Sequence, residues 1–179
     1  MNIHSSDPQS MQKIVSDFNL PEQNSHKGQN GKLLIVGGSQ LFHSASLWAA
    51  EVASHFVDMV HYSSTLENEQ IFLDLKKKFR NGIVTPRDQL DHYIKEDEVI
   101  LIGPGMVRDK KSDDLPEMLE DILAIGHEPL YTAAITRYIL KTYSEKKVVL
   151  DAGALQMVNP LWLKETNTRL ILTPHQNVS

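Results

Sequence analysis

Between Lys32 and Phe56 the chain reads KLLIVGGSQLFHSASLWAAEVASHF, and no other stretch constrains the fold as strongly. Leu33 to Val36 form a short apolar run of strand character, and Gly37-Gly38-Ser39 turns the chain. Ala45, Trp48, Ala49, Val52 and Phe56 then recur at helical spacing. A strand, a glycine turn and a helix in direct succession belong to α/β architecture. Such a turn admits close backbone approach to a ligand, and the helix start beyond it presents unpaired N–H groups and the positive end of a dipole, which suits an anion. Glycine at this place also serves simply to pack helix against strand.

The remainder alternates in the same way. Met59 to Tyr62 reads as a strand, and Leu66 to Phe79 as a helix with Leu66, Ile71, Leu75 and Phe79 available for burial, broken at Asn81-Gly82. Ile83 to Thr85 is a brief strand before Pro86, and Asp88 to Tyr93 a short helix carrying Leu90 and Ile94 inward. Glu98-Val99-Ile100-Leu101-Ile102 is nearly all apolar, without polar alternation, which marks a strand covered on both faces and hence a parallel sheet. Leu115, Met118, Leu119, Ile122 and Leu123 define an amphipathic helix closed by Gly126, and Ala134 to Thr142 a second ending near Tyr143. Val148 to Leu150 and Leu170 to Leu172 are further strands, with a helical turn between them that ends near Asn159-Pro160. Residues 1–24 read as a polar leader around one helix, with Met11, Ile14, Val15 and Phe18 on a face that packs onto the domain and Pro21 beyond its end. Residues 25–179 form that domain. The fold class is α/β: a doubly wound, mostly parallel sheet.

Four special turns each follow a strand directly: Gly37-Gly38-Ser39, Gly103-Pro104-Gly105, Asp151-Ala152-Gly153 and Thr173-Pro174-His175. A parallel sheet brings all four to one edge, the edge where open α/β folds bind ligands. Each also has a structural reading, since Gly and Pro are ordinary turn residues and Asp151 is a helix-capping residue type. A formal net charge of -5 without a long Lys/Arg run argues against a nucleic-acid surface. The absence of cysteine excludes disulfides and thiolate metal sites. The start, MNIHSSDPQS, is polar, and no apolar run approaches the ~20 residues of a membrane helix. The expectation is a cytoplasmic protein without a membrane or nucleic-acid partner. Phosphate-loop, G-x-G-x-x-G, zinc H-E-x-x-H and hydrolase G-x-S-x-G patterns are all missing.

Taken in order, the motifs resemble those of the ADP- or ATP-dependent NAD(P)H-hydrate dehydratases, a ribokinase-like, carbohydrate-kinase-related family. The family's H-K-G, G-G-S-x-x-Y-x-G-A, G-P-G-[LM]-G-R-D, L-D-A-D-A-L and T-P-H-P-G-E are answered by five stretches. These are His26-Lys27-Gly28, Gly37-Gly38-Ser39 through Ala45, Gly103-Pro104-Gly105-Met106 with Arg108-Asp109, Leu150-Asp151-Ala152 with Ala154-Leu155, and Thr173-Pro174-His175. The resemblance implies repair of NAD(P)H hydrate: ATP or ADP with Mg²⁺ phosphorylates the added hydroxyl, and loss of phosphate regenerates NAD(P)H. It implies that Ala45, Gly103, Gly105 and His175 line the hydrate pocket. Gly37, Gly38, Ser39 and Asp151 support it, the last in a supporting or metal-linked role. A homo-oligomer is compatible with it. Ser44, Phe42, Val107, Gly153 and Gln176-Asn177-Val178 depart from the family pattern, and lost glycines narrow the room for a ligand. The family's G-T-G-D segment, with the nucleotide site, anion hole and catalytic aspartate, has no counterpart before Ser179, so no catalytic residue is assigned. The expectation is a C-terminally truncated ribokinase-like domain that is inactive alone. A ribokinase-like small-molecule kinase and a non-enzymatic truncated homologue are the alternatives.

Overall fold

Short apolar runs flanked by turn residues pair side by side. The computed structural model describes residues 6–16, 22, 24–112 and 114–174. Its strands are β1 (Lys32–Val36), β2 (Met59–Ser63), β3 (Gly82–Val84), β4 (Val99–Ile102), β5 (Lys147–Leu150) and β6 (Arg169–Leu172). They form one sheet in the order β3-β2-β1-β4-β5-β6, and every pairing is parallel. The helices are α1 (Pro8–Ser16), α2 (Ser44–Ala53), α3 (Leu66–Leu75), α4 (Leu90–Glu96), α5 (Leu119–Leu123), α6 (Glu128–Thr142), α7 (Ala152–Met157) and α8 (Pro160–Glu165).

Strand alternation divides the core into two layers. Leu34 and Val36 of β1, Ile100 and Ile102 of β4, and Val148 and Leu150 of β5 face a large cluster built with α4, α5, α6 and α7. Ile35 of β1 and Val60 and Tyr62 of β2 face a smaller one with Leu47 and Ala50 of α2 and Phe72 of α3. Tyr62 and Phe72 stack at 4.4 Å and 10°. Both faces of the central strands are therefore covered, which is what the unalternated Val99–Ile102 run requires.

Several helix faces differ from the sequence expectation. In α2 the spaced apolar residues turn outward, with Trp48 68% exposed and Val52 and Phe56 also exposed. The helix instead buries Ser46, Leu47 and Ala50. The reason is distance: a Cβ on Gly37 would lie 2.9 Å from Cβ of Ser46, and Ser46 Oγ and Tyr62 OH share a 2.8 Å hydrogen bond, so position 46 takes a small residue while Leu47 and Ala50 join the smaller cluster. In α3, Leu66 is 82% exposed, and Phe72 takes the buried place. Residues 115–118 lie outside α5, and Met118 is exposed. Helix α8 was not anticipated; it starts at Pro160, with the Asn159 side chain accepting from Leu161 N. In the leader, Met11 and Val15 are exposed rather than packed, while Phe18 and Pro21 lie outside the described residues, as does the Ile14 side chain.

Candidate functional site

In an open parallel sheet the strand order reverses at one point, and the loops leaving the strands there splay apart to leave a crevice. Here the reversal falls between β1 and β4. Gly37-Gly38-Ser39 leaves one of these strands and Gly103-Pro104-Gly105 the other, so both glycine turns sit at the switch point.

These turns are locked to each other. Gly38 N donates to Pro104 O at 2.7 Å, Gly103 N to Val36 O at 3.0 Å, and Met106 N to Gly103 O at 3.0 Å. Gly103 adopts φ +118°, and a Cβ there would meet Asp151 O at 1.8 Å. Gly105, at φ +71°, would place a Cβ 3.0 Å from Phe42 O. On the third loop Asp151 N donates to Ile102 O and Gly153 N to Gly103 O, and Ala152 has φ 36°. Asp151 precedes α7 without capping it through its side chain. Its carboxylate instead accepts from Thr173 Oγ1 at 2.5 Å, tying the fourth loop to the third. Ser39 is buried, and its Oγ accepts from Phe42 N at 3.0 Å. Ala45 is exposed in the first turn of α2.

The structure thus gathers Gly37, Gly38, Ser39, Ala45, Gly103, Gly105 and Asp151 at the C-terminal ends of the strands. His175 lies outside the described residues. Of the two readings of the glycines, protein packing accounts for Gly37, Gly38 and Gly103, whose absent Cβ atoms would each overlap protein atoms within 3 Å. His26-Lys27-Gly28 is elsewhere. It precedes β1 at the opposite edge of the sheet, where Gly28 N and Asn30 N both donate to Asp58 Oδ2, at 2.7 and 3.1 Å. Those backbone N–H groups hold the Asp58 carboxyl below its usual range. That motif is a structural turn.

Two parts of the site escaped the sequence reading. Asn68 is fully buried; its Nδ2 donates to Ser39 O at 2.9 Å and to Thr65 Oγ1, and its Oδ1 meets His43 Nδ1 at 2.8 Å. It fixes the β1–α2 loop to the start of α3. The helix-start pattern Thr65-Leu66-Glu67-Asn68, with Thr65 Oγ1 accepting from Asn68 N, was the available signal. The second is a cavity of about 620 Å³ between the ends of β2 and β3 and the starts of α3 and α6. Residues as distant in sequence as Gln40, Ser64, Arg87 and Tyr131 line it, and no local pattern announces it. Glu69, on its wall, is only 8% exposed, and burial raises its carboxyl above the usual range. A carboxyl raised in the folded state costs stability once pH exceeds its unfolded value. Glu69→Gln is therefore expected to raise the denaturation midpoint at pH 7 and to leave it unchanged below the ordinary carboxyl range. An unchanged midpoint at pH 7 would show that Glu69 carries no burial penalty.

Among the described residues, no group of three or more His, Cys, Asp or Glu is placed to hold a metal ion, so Mg²⁺ has no donor set to be assigned to. No helix among them is long and apolar enough to cross a membrane.

A parallel sheet covered by helices on both faces defines an open α/β protein, and solved structures place it in the ribokinase-like fold. A ribokinase-like superfamily protein of Enterococcus faecalis superposes with a TM-score of 0.61 at 15% identity, over 88% of this chain and 49% of that one. The ADP/ATP-dependent NAD(P)H-hydrate dehydratase of Bacillus subtilis, co-crystallised with ATP and Mg²⁺, does so with a TM-score of 0.59 at 20% identity, over 92% and 51%. The NAD(P)H-hydrate dehydratase family model matches residues 33–177, and the chain belongs to that family. The ADP-dependent (S)-NAD(P)H-hydrate dehydratase of Lactiplantibacillus plantarum is 28% identical over 156 residues, which are 85% of this chain and 48% of that protein. The chain spans about half the length of that relative.

Proposed function

We propose that this chain forms the hydrate-binding half of a nucleotide-dependent NAD(P)H-hydrate dehydratase. The observation that carries the reading is the interlocked set of strand-end turns at the β1/β4 switch point, within the stretch that the family model matches. Hydrated NAD(P)H, whose ring bears an added hydroxyl, is received there against Ala45 and the backbone of Gly103 to Gly105, with Gly37, Gly38, Ser39 and Asp151 in support. ATP or ADP, when bound, would supply the phosphoryl group that makes the hydroxyl a good leaving group. The residues of this chain position the ring and exclude water from it; the turns are held by backbone hydrogen bonds and so keep their geometry as the ligand reacts. A relative of about twice this length supports a reading in which the activity belongs to a longer protein, and the kinase alternative is not favoured.

Calorimetric titration of residues 1–179 with hydrated NADH tests the reading. Binding is expected, and Ala45→Leu, at an exposed helix-start position that tolerates the side chain, is expected to weaken it about tenfold. Nicotinamide absorbance is not expected to recover when ATP or ADP and Mg²⁺ are added to this polypeptide alone, but only in a protein of the relatives' length. No binding by residues 1–179, or equal binding by Ala45→Leu, would reduce these turns to scaffold.

A further inference from the structure

The Asn68 side chain that ties the β1–α2 loop to α3 also fixes the protonation pattern of a histidine beside the glycine turns. Asn68 is fully buried, and its Nδ2 donates to Ser39 O and to Thr65 Oγ1, each at 2.9 Å. A backbone carbonyl only accepts, so the amide cannot be turned round, and Oδ1 is the atom that meets His43 Nδ1 at 2.8 Å. An amide oxygen likewise only accepts. His43 Nδ1 therefore carries the proton, and in the neutral ring Nε2 keeps its lone pair.

That lone pair is not used within the described residues. The bond to Asn68 is the one hydrogen bond of the His43 side chain among them. The ring is half-buried, and its Nε2, unlike that of His61, is not sealed from solvent. Nor does the side chain cap α2, which His43 directly precedes. Its position is the junction of the two glycine turns. It follows Phe42, whose carbonyl would lie 3.0 Å from a Cβ on Gly105, and stands two residues before Ala45. An open acceptor, held in one tautomer by a buried amide, suits a donor that comes from outside the chain.

Resting on the hydrate reading above, we infer that His43 Nε2 accepts a hydrogen bond from the carboxamide N–H of the hydrated nicotinamide ring, and that Asn68 is the positioning residue that holds His43 in the accepting tautomer. The ring offers two donors, the added hydroxyl and the carboxamide. The hydroxyl gives up its proton when it is phosphorylated, whereas the carboxamide N–H persists through the reaction, so a tautomer fixed by the fold matches the carboxamide. The opposite tautomer would set two N–H groups against each other.

Nitrogen NMR of the histidines and calorimetric titration, both on residues 1–179, test this. In mildly alkaline buffer the His43 proton is expected on Nδ1, and hydrated NADH is expected to shift the Nε2 resonance while Nδ1 stays protonated. Asn68→Leu is expected to spread the proton over both ring nitrogens. The probe for the carboxamide is a hydrated acetylpyridine analogue of NADH, in which a methyl ketone replaces the amide. It is expected to bind about tenfold more weakly than hydrated NADH, and His43→Phe to weaken hydrated NADH by about as much. A proton on Nε2 of the unliganded chain overturns the inference, and an unchanged tautomer in folded Asn68→Leu overturns the role of Asn68. An unmoved Nε2 resonance in the complex, an analogue that binds as tightly as hydrated NADH, or full affinity in His43→Phe also overturns the inference, and each leaves the hydrate reading standing. Hydrated NADH that fails to bind at all removes the hydrate reading and this inference with it.

Discussion

Gly103→Ala is expected to lower the unfolding free energy by about 3 to 5 kcal/mol, combining a positive φ that an alanine resists with overlap that the neighbours cannot relieve. The added methyl would sit 1.8 Å from Asp151 O, and that carbonyl belongs to a backbone held by Asp151 N donating to Ile102 O. Movement of the third loop would in turn break the Gly153 N to Gly103 O bond. Gly126→Ala is the control, because its Cβ meets nothing within 4 Å, and it is expected to change stability by less than about 1 kcal/mol. Urea unfolding of the two variants checks the contrast. A loss below about 1 kcal/mol for Gly103→Ala would mean that the loops at the switch point yield, and that their interlocking cannot hold a ligand geometry.

The second large effect lies under the sheet. His61 of β2 and Asp97, just before β4, are both fully buried, with His61 Nδ1 2.8 Å from each carboxylate oxygen. The Tyr93 ring packs edge-on against the imidazole at 4.5 Å, and Lys146 Nζ donates to Asp97 O at 2.8 Å. His61 Nε2 has no partner among the described residues, so Asp97 carries the whole polar satisfaction of that ring. Asp97→Ala is expected to cost about 3 to 5 kcal/mol, since it strands a buried polar ring. Replacing both residues with leucine is expected to cost less than the sum of the single changes, because neither partner is then left unpaired. A thermodynamic cycle of the singles and the double measures this. Strictly additive losses would show that the two residues stabilise the fold independently.

Much of the fold was readable because its signals are local. Val99–Ile102 lacks polar alternation, and such a strand must be covered on both faces. Leu90 and Ile94 are helically spaced in a short segment whose other positions are polar, and both are buried. Helix α2 shows where local reading stops. Its apolar spacing is real, yet Trp48 and Val52 face outward because the inward face, carrying Ser46, Leu47 and Ala50, passes Gly37 so closely that a Cβ there would lie 2.9 Å from Cβ of Ser46. Periodicity identifies a helix with an apolar stripe; it does not say which stripe meets the sheet when small residues offer closer packing. Leu66 failed for a related reason, since it opens α3 at the sheet edge, beyond the layer that buries Phe72.

The same division holds for the site. The sequence by itself determined that four special turns share one edge, because each follows its strand immediately and parallel pairing carries every strand end to the same side. Tertiary structure alone decided what that edge is made of. Strand order put the β1 and β4 turns at the switch point, and the approach of Pro104 to Gly37, and of Asn68 and Ser64 to Gly38, turned their missing side chains into packing space. Contacts between His61 and Asp97, 36 residues apart, or between Arg87 and Tyr131, depend on how layers stack, and no local rule of spacing encodes them.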